Sequence, residues 1–193
     1  MKKRLILLLI LFWSCGLTDN LKEQIAIEVE NLISIDLQRH FLTTIGELDQ
    51  EVRHQDTRML QQFGYRSKEH KEALRELRRI DRRNLLKVEA YLEKYGYPKI
   101  NDHGERACGV PWLVIHHAPG GIKPRKRNFK YIFSAYRNGD IGDGELTFYL
   151  NRMYDMKFGK RIEWNRPFKV EEELDTLYTA LNLWSIVNEL DVE

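Results

Sequence analysis

Acidic and basic side chains recur in this sequence at spacings that would let them share one site. Asp49 and Arg53 lie four residues apart, which places them on one face of a helix about a turn apart. Asp81 and Asn84 lie three residues apart beside an apolar stripe, where a buried polar group must be hydrogen-bonded. Such pairs are typical either of ordinary surface ion pairs and structural hydrogen bonds or of a site for acid–base chemistry.

Two adjacent histidines, His116 and His117, follow the apolar run from Trp112 to Ile115, so at least one imidazole should begin near the core. Neighbouring residues on a helix or a strand point in different directions, which makes the two a poor pair of metal ligands. Phosphate loops, dinucleotide fingerprints, nucleophile elbows and zinc-binding helices do not occur in the sequence. We therefore expect no metal site and no cofactor.

Two other side chains have roles that the sequence leaves open. Arg152 lies about one turn beyond Phe148 and Tyr149, and could reach inward or stay in solvent. Cys108 lies in a Gly-rich, apolar stretch, where we interpret it as a small buried thiol, with a nucleophile as the alternative.

The first residues have the features of an export signal. Residues 1–14 combine Lys2, Lys3 and Arg4 with a short apolar run, which has about half of the roughly 20 residues that a membrane-spanning helix needs. Cys15 follows directly and resembles the lipid-attachment cysteine of bacterial lipoproteins. We therefore predict a signal peptide over residues 1–14, a short anchor segment over 15–20, and acylation of Cys15, for example with palmitate.

The export signal and the lipid-attachment cysteine together predict a protein held on a membrane of the bacterial cell envelope, facing the periplasm or the surface. The residues before Cys15 are bulkier than those usual at a lipid-attachment site, so secretion without an anchor is the alternative. Of the 31 Lys and Arg residues, three belong to the signal, which leaves 28 basic against 29 acidic residues. That balance argues against nucleic acid as a partner. We interpret the basic run from Lys123 to Lys130 as a solvated loop and helix start, with a patch that meets phosphates or an anionic surface as the alternative.

Hydrophobic periodicity predicts an all-α fold, a multi-helix bundle in which residues 21–193 form a single domain. We expect a first helix from near Asp19 to about Phe41. A second helix should begin at a capping box of Thr44 and Glu47 and close at Gly64.

The remaining elements follow from apolar spacing and from Gly and Pro at their ends. They are a helix from Ser67 to Gly96, a short helix starting at Pro111 in an otherwise irregular stretch from 100 to 121, helices ending at Gly139 and Gly159, and a last helix over 174–190. Weak alternation over 161–168 leaves room for a minor β hairpin near 160–168.

Several of these polar residues belong to segments that recur together in a known pattern. The segments are Asp49-Gln50-x-x-Arg53, Asp81-x-x-Asn84, Gly96-Tyr97-Pro98, Trp112 to Ala118 and Tyr149-Leu150-Asn151-Arg152. Over about residues 44–165 their order resembles a bacterial family of uncharacterised domains, many of them exported, with Asp-Gln-x-x-Arg, Gly-Trp-Pro, Gln-His-Ala and Asp-Arg signatures. Tyr97, His116 and Asn151 depart from those signatures, so the resemblance implies a diverged member.

The resemblance also implies that six polar residues converge in one pocket between the helices. These residues are Asp49, Arg53, Asp81, Asn84, His117 and Arg152. The hypothesis requires His117 to lie within about 10 Å of Asp49 or Asp81, close enough for direct or water-bridged contact.

Two functions remain open at this point. The first is a non-catalytic envelope lipoprotein that binds a protein or a small ligand, with the polar residues forming an internally satisfied network and no open cleft beside it. The second is a hydrolase-like enzyme with His117 as general base, Asp49 or Asp81 orienting it, and Arg53 or Arg152 stabilising negative charge. This second function requires an open pocket.

Overall fold

Helices are the only regular elements in the part of the chain that the computed structural model describes, residues 19–160, 162 and 170–190. They are α1 (residues 19–30), α2 (Ile35–Phe63), α3 (Lys68–Tyr95), α4 (Ile100–His117), α5 (Ile122–Arg137), α6 (Asp143–Phe158), α7 (Val170–Leu181) and α8 (Trp184–Leu190). The all-α bundle predicted from the sequence is confirmed.

The predicted signal peptide, Cys15 and the predicted β hairpin lie wholly or mostly outside the described residues. The signal over 1–14 and Cys15 lie outside the described residues. The described residues contain no strand, so the β hairpin near 160–168 is not confirmed; most of that stretch lies outside them. Among the described helices, none has the length and apolar character needed to cross a bilayer.

The first two helices divide at a different place from the one predicted. A turn at residues 31–34 ends α1, and the Ser34 hydroxyl caps α2 by accepting from the Leu37 amide at 3.3 Å. The prediction of one helix to Phe41 and of a capping box at Thr44 is wrong, because Thr44 lies inside α2. Leu32 is buried beneath the turn, so the apolar period continues through the break and hides it.

The helices α2, α3 and α4 form the larger packed group of the fold. The predicted start of α3 is confirmed, with the Ser67 hydroxyl accepting from the His70 amide at 3.0 Å. Arg39 of α2 donates to the backbone near His103 at the start of α4, whereas Arg53 of α2 contacts His117 at the end of α4. The three helices therefore run up, down and up.

The stretch from 100 to 121 is more regular than predicted. Helix α4 consists of two helical segments that meet at a kink at Gly104, where φ is 77° and ψ is 159°, and Pro111 lies inside the second segment. The prediction of a short helix starting at Pro111 is wrong, because burial of Ala107, Val114 and Ile115 outweighs the local preference of Gly and Pro for breaks.

The C-terminal helices largely follow the sequence pattern. The glycines at 139 and 159 lie just beyond α5 and α6, as predicted. The last predicted helix is instead two, α7 and α8, because the chain turns at Asn182, where φ is 57°. The core runs through both groups of helices and includes the fully buried Leu42, Val88, Ile115, Ile132, Leu146 and Leu177.

Candidate functional site

Four of the six predicted polar residues meet where three helices come together. Asp49 and Arg53 lie on α2, Asp81 lies on α3 and His117 ends α4; we call these four residues the three-helix polar cluster. Arg53 donates from Nη2 to Asp49 Oδ1 at 3.0 Å and to Asp81 Oδ1 at 2.6 Å, and from Nε to Asp49 Oδ2 at 3.2 Å. His117 Nδ1 lies 3.0 Å from Asp49 Oδ2. The two carboxylates are buried, whereas Arg53 and His117 are partly exposed.

The imidazole of His117 has two possible proton positions in this arrangement. With a proton on Nδ1 it donates to Asp49, and without one its Nδ1 accepts from Arg53 Nε at 2.9 Å. Either way the ring is held through Nδ1, and no described residue bonds its Nε2. An imidazole oriented by a carboxylate through one nitrogen can exchange protons at the other.

The two carboxylates of the cluster have pKa values shifted in opposite directions. Burial opposes ionisation of Asp49, but hydrogen bonds and charge from His117 and Arg53 outweigh it and lower its pKa. Burial raises the pKa of Asp81, and the neighbouring Asp49 charge adds to the effect against the attraction of Arg53. Asp49 is thus the firmly charged partner of Arg53 and His117.

The other two predicted residues lie apart from this hydrogen-bond network. Asn84 is buried one turn from Asp81, and its side-chain amide faces the Ile45 carbonyl of α2 at 3.5 Å, so it belongs to the contact between α2 and α3. Arg152 acts electrostatically on His116 and Arg125, and its Nε is buried without a hydrogen-bond partner among the described residues.

His116 has an aromatic environment that differs from that of His117. Its ring stacks on Trp112 at 5.0 Å and on Phe148 of α6 at 4.9 Å between centroids. Burial lowers the pKa of His116 to about 4, and the positive charges of His117, Arg125 and Arg152 add to the effect. His116 is therefore a neutral packing residue at pH 7.

A residue that the sequence did not single out positions the end of α4. Arg125 of α5 is buried, and its guanidinium donates to the carbonyls of His116, Ala118 and Gly121. The His116 and Ala118 carbonyls lie at the C-terminus of α4, which favours a positive charge, whereas Gly121 directly precedes α5. The sequence showed Arg125 only as part of a basic run that we interpreted as solvated, and for this residue the interpretation is wrong.

Cys108 has the buried position that the sequence predicts for it. Cys108 is a free, buried thiol whose Sγ donates to the Pro98 carbonyl at 3.1 Å, and burial raises its pKa to about 12. It lacks the thiolate character of a nucleophile. The described residues include no group of three His, Cys, Asp or Glu side chains arranged to hold a metal ion.

A groove of about 730 Å³ lies between α2 and α4, beside the cluster. Its floor comes from Gly46 and Gln50 of α2 and from Gly109, Val110 and Leu113 of α4. Gln50 also donates to Asp49 Oδ2 at 2.9 Å and so connects the groove to the cluster, although His117 does not line the groove. This volume is within the range of small-molecule sites.

Comparison of the chain with models of protein families, with curated proteins and with solved structures found no match.

Proposed function

We propose that this is a bacterial cell-envelope lipoprotein, anchored through Cys15, whose helical domain binds a small ligand or protein segment without catalysis. The observation that carries the proposal is the groove between α2 and α4 beside a polar cluster whose side chains satisfy one another. Charged groups that are paired in this way fix the relative positions of helices and leave the groove to make the contacts.

The composition of the groove supports binding. Val110, Trp112 and Leu113 provide apolar surface, whereas Gln50 and His54 provide polar groups. Charged side chains also line the groove, namely Glu47, Glu51, Arg58 and Arg106. Sites for small ligands commonly combine a mostly apolar lining with a few polar groups that fix orientation. The hypothesis of a purely binding role expected no open cleft near the cluster, so the groove departs from that expectation and supplies the binding surface itself.

The proposed membership of the exported family, as a diverged member, rests on the same residues. Its Asp-Gln-x-x-Arg and His-Ala segments meet in this structure, since Asp49, Gln50 and Arg53 contact one another and His117. Asn151 and Arg152, which replace the Asp-Arg pair of the family, lie on α6, and the Arg152 charge acts on His116 instead.

Metabolic labelling with radioactive palmitate tests the anchor. We expect label in the wild type and none in Cys15→Ala, because the thiol of Cys15 is the proposed attachment point. An unlabelled wild type would contradict the lipoprotein proposal and favour secretion.

A glycine-to-leucine pair tests the groove. A Cβ atom added at Gly109 meets no described atom within 4 Å, so Gly109→Leu should fill the groove and leave the fold intact. Gly144→Leu on α6 is the matched control, since Gly144 is equally uncrowded and lies outside the groove. With 1-anilinonaphthalene-8-sulfonate as the probe, Gly109→Leu should lose most of the fluorescence gain and Gly144→Leu should keep it; equal binding by both variants would contradict the assignment.

The second candidate function is a hydrolase-like activity, which the Asp49–His117 contact favours. In this mechanism His117 Nε2 would activate water, and Asp49 would orient the imidazole ring. Arg53, which Asp81 holds in place, or Arg152 would stabilise a developing anion. With p-nitrophenyl acetate as the probe, loss of turnover in His117→Ala at an unchanged unfolding temperature would support the enzyme. A lower unfolding temperature with no turnover in either protein supports the binding function.

A further inference from the structure

The α2–α3 hairpin projects beyond the rest of its helical group. Helix α4 ends at His117, level with Arg53, but α2 continues for ten more residues to Phe63, a rise of about 15 Å. None of those ten residues is buried. The far end of the hairpin is therefore presented to the surroundings.

The end of this projection combines exposed apolar and basic side chains. Leu60 is 38%, Phe63 46% and Tyr65 75% exposed. Residues 58–71, which we call the hairpin tip, also carry four basic residues against one acidic residue: Arg58, Arg66, Lys68 and Lys71 against Glu69. The tip is thus apolar and positively charged at once.

The fold does not require these residues at these positions. Lys68 and Lys71 lie in the first turn of α3, where the positive end of the helix dipole disfavours cations. Arg66 adopts a left-handed conformation with φ of 73°, and its guanidinium lies 5.6 Å from the centre of the Tyr65 ring. The pair therefore presents an aromatic ring and a charge together at the turn.

We propose that the hairpin tip binds the anionic headgroup surface of a lipid bilayer. Tyr and Phe rings favour the boundary between headgroups and acyl chains, and Lys and Arg are attracted to anionic lipids. The inference rests on the proposed envelope function for the presence of a membrane close by. A protein partner or a second copy of the chain would use the same apolar residues but would not require anionic lipid.

Two fluorescent probes on the full acylated chain test the contact. Gln62→Cys places a label at the tip, and Ile33→Cys places one at the opposite end of α2, about 42 Å away; both positions are exposed. The buried Cys108 should not take the label. In vesicles that contain phosphatidylglycerol, the label at 62 should shift to the blue and be quenched by brominated acyl chains, whereas the label at 33 should not.

Two sets of variants separate the contributions of charge and apolar surface. Lys68→Gln with Lys71→Gln should weaken tip binding roughly 25-fold, since each basic residue near an anionic surface contributes roughly fivefold. Phe63→Ser with Tyr65→Ser should abolish bromolipid quenching. All four residues are exposed, so the unfolding temperature should not change.

Three outcomes overturn the proposal. They are equal responses of the two labels, an equal response in purely zwitterionic vesicles, and a blue shift at residue 62 that depends on protein concentration without vesicles, which would indicate a second copy. Mass spectrometry of the N-terminal peptide reports acylation separately. A missing anchor is thereby distinguished from a tip that does not touch lipid.

Discussion

Arg53 is the residue that makes the three-helix polar cluster stable. It donates to both buried carboxylates, Asp49 and Asp81, which would otherwise repel each other across the contact between α2 and α3. Removing one partner of a buried ion pair leaves an uncompensated charge, which costs far more than losing a surface pair. Removing the Arg53 guanidinium should therefore lower the free energy of unfolding.

We predict that Arg53→Met lowers the free energy of unfolding by about 3 kcal/mol. Methionine keeps most of the side-chain volume, so the loss reflects the two carboxylates left without their cation. Urea denaturation at pH 7 measures it. Arg79→Met is the matched control, since Arg79 forms an exposed pair with Glu76 and should change stability little; equal losses in both variants would contradict a special role for Arg53.

His116 should make the stability of the protein depend on pH. Its pKa is lowered from 6.5 to about 4 in the folded chain, so below pH 6.5 the unfolded chain binds a proton that the folded chain does not. Stability should fall as the pH decreases from about 6.5 to 4, by roughly 3 kcal/mol from this residue alone.

His116→Gln removes this titration and keeps a polar side chain at the position. Urea denaturation of both proteins at pH 7 and pH 4 gives the difference, which we expect to be smaller in the variant. An equal loss in both proteins would assign the acid sensitivity to other groups.

At the residue scale the sequence predicted the partners of the cluster better than their surroundings. Helical spacing and the order of the polar segments led to the prediction that Asp49, Arg53, Asp81 and His117 meet, but the same prediction included two residues that lie apart from the network, Asn84 and Arg152. Spacing and order could not predict that Arg125 is buried, because its partners are carbonyls at the end of another helix, and no residue pattern reports free carbonyls. Arg152 was misplaced: its charge acts on His116, and its buried Nε has no hydrogen-bond partner among the described residues.

At the scale of elements, the close approach of α2 and α4 depends on one small residue. A Cβ atom at Gly46 would lie 2.8 Å from Val110 Cγ2, which is closer than packed carbons tolerate. Glycine is otherwise unfavourable inside a helix by about 1 kcal/mol, so its presence here is explained by the helix contact.

We predict that Gly46→Ala destabilises the protein by about 1–2 kcal/mol even though alanine is the better helix former. Gly109 lies in the same groove, but a Cβ atom added there meets no described atom within 4 Å. Gly109→Ala should therefore leave stability unchanged or raise it by up to about 1 kcal/mol. Thermal unfolding of the two variants measures the contrast. The addition of Val110→Ala to Gly46→Ala should relieve the clash, and a failure to do so would place the cost elsewhere.

Helix existence was predictable from the sequence, but two kinds of boundary were not. The starts and ends marked by Ser67 and Gly96 were correct because cap chemistry is local. The turn at 31–34 and the interior position of Pro111 were missed, since burial of Leu32 and of the α4 core overrides local preference. A helix boundary that is set by packing cannot be predicted without knowing which side chains of other helices pack against it.

At the scale of the whole molecule, the helices form two groups that share one apolar core. Helices α2 to α4 pack on one another, and α5 to α8 form the second group. Arg125 joins the groups, since its guanidinium binds the end of α4 while its carbonyl accepts from Tyr149 of α6 at 2.7 Å. The position of His117, and so of the cluster, depends on a residue from the other half of the chain.

We therefore predict that Arg125→Met destabilises the whole domain by about 2–4 kcal/mol, because buried carbonyls at the end of α4 lose their donor. Arg125→Lys should recover only part of this loss, since an ammonium group cannot reproduce the planar fork of a guanidinium. Arg127→Met removes an exposed arginine two residues later, paired with Glu89, and should cost less than about 1 kcal/mol. Urea denaturation monitored by tryptophan fluorescence and by circular dichroism measures all three variants. If Arg125 couples the two groups, the two signals should coincide in the wild type and separate in Arg125→Met. Coincident curves with a small loss would show that the other contacts between the groups are sufficient to hold them together.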